Sequence, residues 1–241
     1  MTRPAPRRLD PTQYIEIQRL YRRLYGPASK PVTVITSSTS GEGSTLLTHL
    51  LALCSADSGH PTLVIDFNCR QQTLTQQLAL TPSAWPLQLS PASIKTAVQP
   101  VAGVKNLYAL SAPLSADHIA YCQDPLVLKG LLQALGQDFS RVLIDTTPLD
   151  AHNRQNIDAA LIASVADQTI LVALTDRTPQ RVLQKALRAL RESGAVMAGV
   201  VLNNQFAPHP GQTLAAWAKW WRPYHQGLSD WLQAQRRWFH E

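Results

Sequence analysis

The chain has 241 residues, 45% of them hydrophobic, and carries a net charge of +6. That is enough for one large domain with tails, and no apolar run reaches the length of a membrane-spanning helix. The three cysteines, Cys54, Cys69 and Cys122, are odd in number and widely spaced, so they form neither a disulfide framework nor a zinc pattern.

Charge is unevenly distributed. Residues 1–30 hold seven Lys/Arg against two acids, residues 212–241 hold four against two, and the stretch between holds eleven against twelve. A neutral middle excludes a whole-surface nucleic-acid footprint. Basic ends favour an acidic partner or a membrane surface. The first residues lack the apolar stretch of a secretory signal, so the protein is expected in the cytosol.

In chain order, residues 1–11 are rich in Pro and Arg and read as disordered. A helical pattern runs from Pro11 to about Tyr25 (Tyr14, Ile15, Ile17, Leu20, Tyr21, Leu24), followed by a linker at 27–31. Apolar strands are then expected at 32–37, 62–66, 106–110, 141–145, 169–174 and 197–202. They lack polar alternation, as strands covered on both faces do. Helices at about 44–58, 124–136, 155–165 and 179–193 separate them, which makes an α/β, doubly wound, mostly parallel sheet. The segment 72–105 is rich in Gln, Pro and Ser and gives no clear pattern. The expected organisation is an N-terminal arm and helix at 1–30, an α/β domain at 31–207 and a helical tail at 208–241.

Between the first strand and its helix lies Ser37-Ser38-Thr39-Ser40-Gly41-Glu42-Gly43-Ser44-Thr45. Strand, glycine loop and helix form the setting of a phosphate-binding loop, where backbone N–H groups and the helix N-terminus face phosphate oxygens. The full motif G-x-x-x-x-G-K-[ST] places a lysine against the β- and γ-phosphates. Here Ser44 holds that place, while Thr45 keeps the hydroxyl that would serve Mg²⁺. Residues Ser40, Gly41, Glu42, Gly43, Ser44 and Thr45 are therefore the candidate nucleotide cradle. Asp66 and Asp145 each end an apolar strand, at the rim where ligands of parallel sheets bind. With Thr45 they are the candidate Mg²⁺ set, and they are the acids that would serve catalysis. The competing reading is that both aspartates cap turns or helices.

These motifs together resemble the bacterial tyrosine kinases (BY-kinases) of capsule and exopolysaccharide production, a branch of the MinD/ParA-like P-loop ATPases. The resemblance covers about residues 12–206. Ser37 through Leu46 is similar to the family loop S-x-x-P-G-E-G-K-[ST]-T. Ile65-Asp66-Phe67-Asn68-Cys69-Arg70 is similar to I-D-x-D-x-R, with Asn68 in place of the second Asp. Ile144-Asp145-Thr146-Thr147-Pro148 is similar to I-D-T-P-P, and Gly199-Val200-Val201-Leu202-Asn203-Asn204 to G-x-V-L-N. The resemblance implies ATP or ADP with Mg²⁺ as cofactors and gives an adenine-reading role to Asn203 or Asn204.

Glu16, Arg19 and Arg22 fit the family's E-x-x-R-x-x-R helix, which packs on the next subunit of a ring. Spacing of three and six puts them on one stripe, so a homo-oligomer is implied; the alternative is a solvated helix face. Three departures point away from an active kinase: Ser44 for lysine, Asn68 for aspartate, and a single Tyr224 after residue 121 where the family carries a tyrosine cluster. Thr147 also replaces a proline. Arg70 and Arg154 are the candidates to replace the lost charge.

Five of the six tryptophans fall in the last 25 residues. Trp217 and Trp221 lie on one helical stripe, Trp231 and Trp238 on a second, with Lys219, Arg222, Arg236 and Arg237 between them. Such a tail suits partner docking, an interfacial helix or packing on its own core. The histidines show no metal spacing.

The expected function is a catalytically degenerate BY-kinase-like protein, a pseudokinase or pseudo-ATPase. It regulates or scaffolds an exopolysaccharide synthesis and secretion system beside a membrane-embedded co-polymerase or synthase. It would be cytoplasmic and peripheral at the inner membrane, touching the membrane surface through its tail, with no nucleic-acid partner. The alternatives are an active ATPase or tyrosine kinase of the same system, and a MinD/ParA-type positioning ATPase.

Overall fold

The computed structural model describes residues 11, 14–26, 32–69, 71–81, 85–86, 88–151, 155–175 and 177–204. The chain divides after Asn203, and apart from Asn204 every described residue belongs to the first unit. The tryptophan-rich tail, Arg70 and Arg154 lie outside the described residues.

Among the described residues seven strands form one sheet. In chain order they are β1 (Val32–Ser37), β2 (Thr62–Phe67), β3 (Gln99–Pro100), β4 (Leu107–Leu110), β5 (Arg141–Thr146), β6 (Gln168–Leu174) and β7 (Met197–Asn203), arranged β3-β4-β2-β5-β1-β6-β7. All pairings are parallel except the short β3, which runs antiparallel to β4 at one edge. Every residue of β1, β2 and β6 is buried, which explains their unbroken apolar runs. Edge strand β7, paired on one side only, is half open, with Leu202 63% exposed.

The helices are α1 (Ile15–Leu24), α2 (Ser44–Asp57), α3 (Thr73–Gln77), α4 (Ala116–Tyr121), α5 (Pro125–Asp138), α6 (Ala159–Val165) and α7 (Gln180–Glu192). Strand alternation sorts side chains between two cores. Val34, Ile65, Ile144 and Leu171 pack with Leu128 and Leu132 of α5, Ile162 of α6 and Leu190 of α7. Ile35, Val64, Leu143 and Ile170 pack with Leu47 and Leu51 of α2. Helix α2 is covered in turn by Ile17, Leu20, Tyr21 and Leu24 of α1, which is why so much of it is buried.

Three local readings are corrected. The first helix spans Ile15–Leu24, with Tyr14 and Tyr25 as its caps, while residues 12 and 13 of the expected pattern lie outside the described residues. The expected helix at 155–165 starts at Ala159, where the Asp158 carboxylate accepts the Ala160 amide and caps it. The segment 72–105, read as patternless, contains α3, a 3-10 turn (Ser93–Ala97) and β3. It is anchored by Trp85, whose indole donates to the Ser111 carbonyl at 2.9 Å and whose ring lies 6.3 Å from that of Phe67.

Candidate functional site

The carboxyl ends of β1, β2, β5 and β7 meet on one rim. Val64 and Leu143 face α2, so two residues further along Asp66 and Asp145 face the same way. The two are direct neighbours in the β2–β5 register. Asn203 follows Val201 by the same alternation and reaches the loop from the other side.

The loop is held from within by Glu42. Its side chain, 1% exposed, turns inward. One carboxylate oxygen accepts the amides of Ser38 (2.7 Å) and Thr39 (3.0 Å), and the other accepts the Thr178 hydroxyl. The Glu42 carbonyl accepts Asn203 Nδ2 at 3.0 Å. Placed in the expected cradle, Glu42 thus spends its carboxylate on the loop itself. Asn203, expected to face adenine, gives this amide to the same loop; Asn204 is exposed. Thr178, just before α7, had no signal in the sequence: a hydroxyl after a strand becomes a partner only when the chain returns beside Glu42.

Gly43 is the N-cap of α2 in the left-handed region, φ +97°, and no side chain caps the helix. The first amides of α2 are thus left to an anion. A Cβ on Gly43 would lie 2.6 Å from Asn203 Nδ2 and would push that amide off the Glu42 carbonyl, while the positive φ itself favours glycine. Gly43→Ala is expected to cost about 1–3 kcal/mol and to lower Tm by roughly 5 °C in thermal melting. An unchanged Tm would show that the loop tolerates the substitution.

Thr45 Oγ1 donates to Asp145 Oδ2 at 2.7 Å. Asp145 is fully buried, and its Oδ1 has no partner among the described residues. Burial pushes its carboxyl up to about 8; the hydrogen bond from Thr45 opposes this, the nearby Asp66 adds to it, and Ser44 opposes it. Burial also raises Asp66, against hydrogen bonds from Thr75 and Asn68. Asp66 Oδ2 accepts both the amide (2.9 Å) and the hydroxyl (2.8 Å) of Thr75, and Oδ1 accepts the Asn68 amide at 3.0 Å. Of the Mg²⁺ set proposed from sequence, Thr45 and Asp145 are together, while Asp66 is engaged inside the protein. The orphaned buried Oδ1 of Asp145 fits a Mg²⁺ shared with phosphates. No group of three or more His, Cys, Asp or Glu side chains among the described residues forms a metal cage. Uncapped loop amides beside this pair can hold a polyphosphate, but Ser44 contributes no positive charge.

Glu16, Arg19 and Arg22 are exposed on α1. Arg22 lines a cavity of about 240 Å³ with Tyr21 and Asp57.

No protein-family model matches the chain. It is 30% identical over 195 residues to tyrosine-protein kinase CpsD of Streptococcus pneumoniae, covering 75% of this chain and 78% of CpsD. It is 26% identical over 184 residues to the succinoglycan biosynthesis transport protein ExoP of Rhizobium meliloti, covering 71% of this chain and 22% of ExoP. Among solved structures it is similar to the septum site-determining protein MinD complexed with Mg-ADP from Pyrococcus horikoshii. That match has a TM-score of 0.56 at 17% identity and covers 75% and 72% of the two chains.

Proposed function

The chain belongs to the bacterial tyrosine kinases, the capsular and exopolysaccharide branch of the MinD-like P-loop ATPases, and from that premise we propose that it is a degenerate member that binds nucleotide without efficient phosphoryl transfer. It serves as a regulatory or scaffolding subunit of a bacterial exopolysaccharide synthesis and secretion system. The observation that carries this reading is the charge of the loop. Ser44 stands where the lysine would be, against the buried carboxyl of Asp145. Phosphoryl transfer rests on positioning and on stabilising charge over the transferring oxygens, and a neutral hydroxymethyl supplies none of that stabilisation.

The same residues still support binding of ATP or ADP. The uncapped amides at the start of α2 hold phosphate, and Thr45 with Asp145 would hold Mg²⁺, which when bound neutralises phosphate charge. Asp145 must then be ionised. The names of CpsD, ExoP and the Mg-ADP complex of MinD support the kinase family, polysaccharide production and the nucleotide in turn. Glu16, Arg19 and Arg22 are proposed to join copies of the chain. A membrane-embedded co-polymerase or synthase is the proposed partner, which places the protein in the cytoplasm at the inner membrane. The domain boundaries near 30 and 208 and the docking role of Trp217, Trp221, Trp231 and Trp238 belong to the same proposal.

The test is calorimetry of the full chain with Mg-ATP and Mg-ADP, with phosphate release followed in the same samples. Binding without turnover is the expected result. Turnover that is lost in Thr45→Ala would overturn the degenerate reading and restore an enzyme.

A further inference from the structure

Helix α7 carries a row of cations with no ion-pair partner among the described residues. Arg181, Lys185, Arg188 and Arg191 are all exposed, and none has an ion pair among the described residues. They follow one another at spacings of four, three and three, so they share the solvent side opposite buried Ala186 and Leu190. At 1.5 Å per residue the row extends about 15 Å. Glu192, at the end of the helix, is the one acid on α7.

This arrangement opposes helix stability. Arg181 lies in the first turn, where the helix dipole disfavours a cation, and so offsets the favourable place of Arg191 in the last turn. Like charges at three and four residues repel. Four of the eleven basic residues between positions 31 and 211 are on this one helix, while the whole stretch carries twelve acids. The cations are therefore concentrated on a single ridge of a part of the chain that is otherwise net acidic.

We propose that the solvent face of α7 docks on an anionic lipid surface. The ridge offers headgroups a line of charges on flexible stems. It lacks the aromatic anchor that a protein interface concentrates at its centre: its exposed residues are Arg, Lys, Gln and Glu. A basic stripe along a helix also suits a nucleic-acid backbone, and the experiment below sets duplex DNA against the lipid. The inference rests on the reading that the protein works at the inner membrane, and it assigns the contact to this helix rather than to the tail alone. Each Lys or Arg near an anionic surface is worth about fivefold in affinity, so three of them give on the order of 100-fold. The attraction weakens with salt, because screening acts over about 10 Å at ordinary ionic strength.

The experiment is flotation of the full chain with vesicles of phosphatidylcholine alone or mixed with phosphatidylglycerol, at low and high salt. The wild type is expected to float only with the anionic vesicles and to be released by salt. The triple variant Arg181→Gln/Lys185→Gln/Arg188→Gln is expected to lose on the order of 100-fold in affinity with an unchanged Tm. Lys185→Arg, which keeps the charge, is expected to float as the wild type does and guards against a folding defect. A triple variant that floats like the wild type overturns the role of α7 and leaves the membrane reading standing on another segment. A wild type that floats with neither vesicle overturns both. Tighter binding to duplex DNA or to an acidic polypeptide than to the anionic vesicles also overturns the proposal.

Discussion

Ser44→Lys is expected to tighten Mg-ATP binding ten- to one-hundred-fold and to give the protein measurable ATP hydrolysis. A charge-assisted hydrogen bond is worth about 1.5–3 kcal/mol, which is that range of affinity. The substitution acts at a prepared place: the loop is already shaped by Glu42 and Asn203, and Thr45 and Asp145 are already in contact. A cation beside Asp145 also favours its ionised form, and that form is the one a Mg²⁺ needs. Titration calorimetry with Mg-ATP, with phosphate release measured beside it, reads both effects. Equal affinity in the two proteins would mean that the missing lysine is not what limits this site.

Asp145→Asn is expected to stabilise the protein, and to do so more in mild alkali than in acid. The Asp145 carboxyl is pushed up to about 8, from an ordinary value of 3.8. Between those limits the native state holds a proton that the unfolded state has released, so its contribution to stability falls as pH rises through this window and levels off above about 8. Asparagine stays neutral throughout and can still accept from Thr45. One pKa unit corresponds to about 1.4 kcal/mol; the four-unit shift bounds the gain, and a realised part of about 2 kcal/mol raises Tm by roughly 4–8 °C. Melting curves at pH 5 and pH 8.5 test the sign. The gain should be larger at pH 8.5, and an equal gain at the two pH values would show that Asp145 is already ionised in the native state at pH 5. The same variant is expected to lose Mg²⁺-dependent nucleotide binding, a trade of stability against function at a site.

Much of this site was legible before any coordinates. Ser37 to Thr45 between a β-branched run and a leucine-rich helix marked the loop, and the apolar runs ending in Asp66 and Asp145 marked the rim. These signals are local: a glycine pair, a strand's hydrophobicity, a carboxylate at its end. What escaped was partnership. Glu42 between two glycines suggests a ligand contact, yet it turns inward to the Ser38 and Thr39 amides and to Thr178, 136 residues further along the chain. Asp66 suggests a metal ligand, and its oxygens also accept bonds from Thr75 and Asn68 that no local pattern announces. The segment 72–105 stayed unread because its order comes from single anchors such as Trp85 on Ser111, which impose no periodicity.

The sequence by itself determined the parallel α/β class, the place of the loop and the absence of its lysine, because burial on both faces and glycine conformation leave their mark residue by residue. The tertiary structure alone decided which groups share a site. Strand alternation turned Asp66, Asp145 and Asn203 toward one face, and parallel pairing set the two aspartates side by side. Burial then raised Asp145 to about 8. Such a shift depends on how completely water is removed from a group and on what stands beside it, and neither is encoded at any single position of the chain.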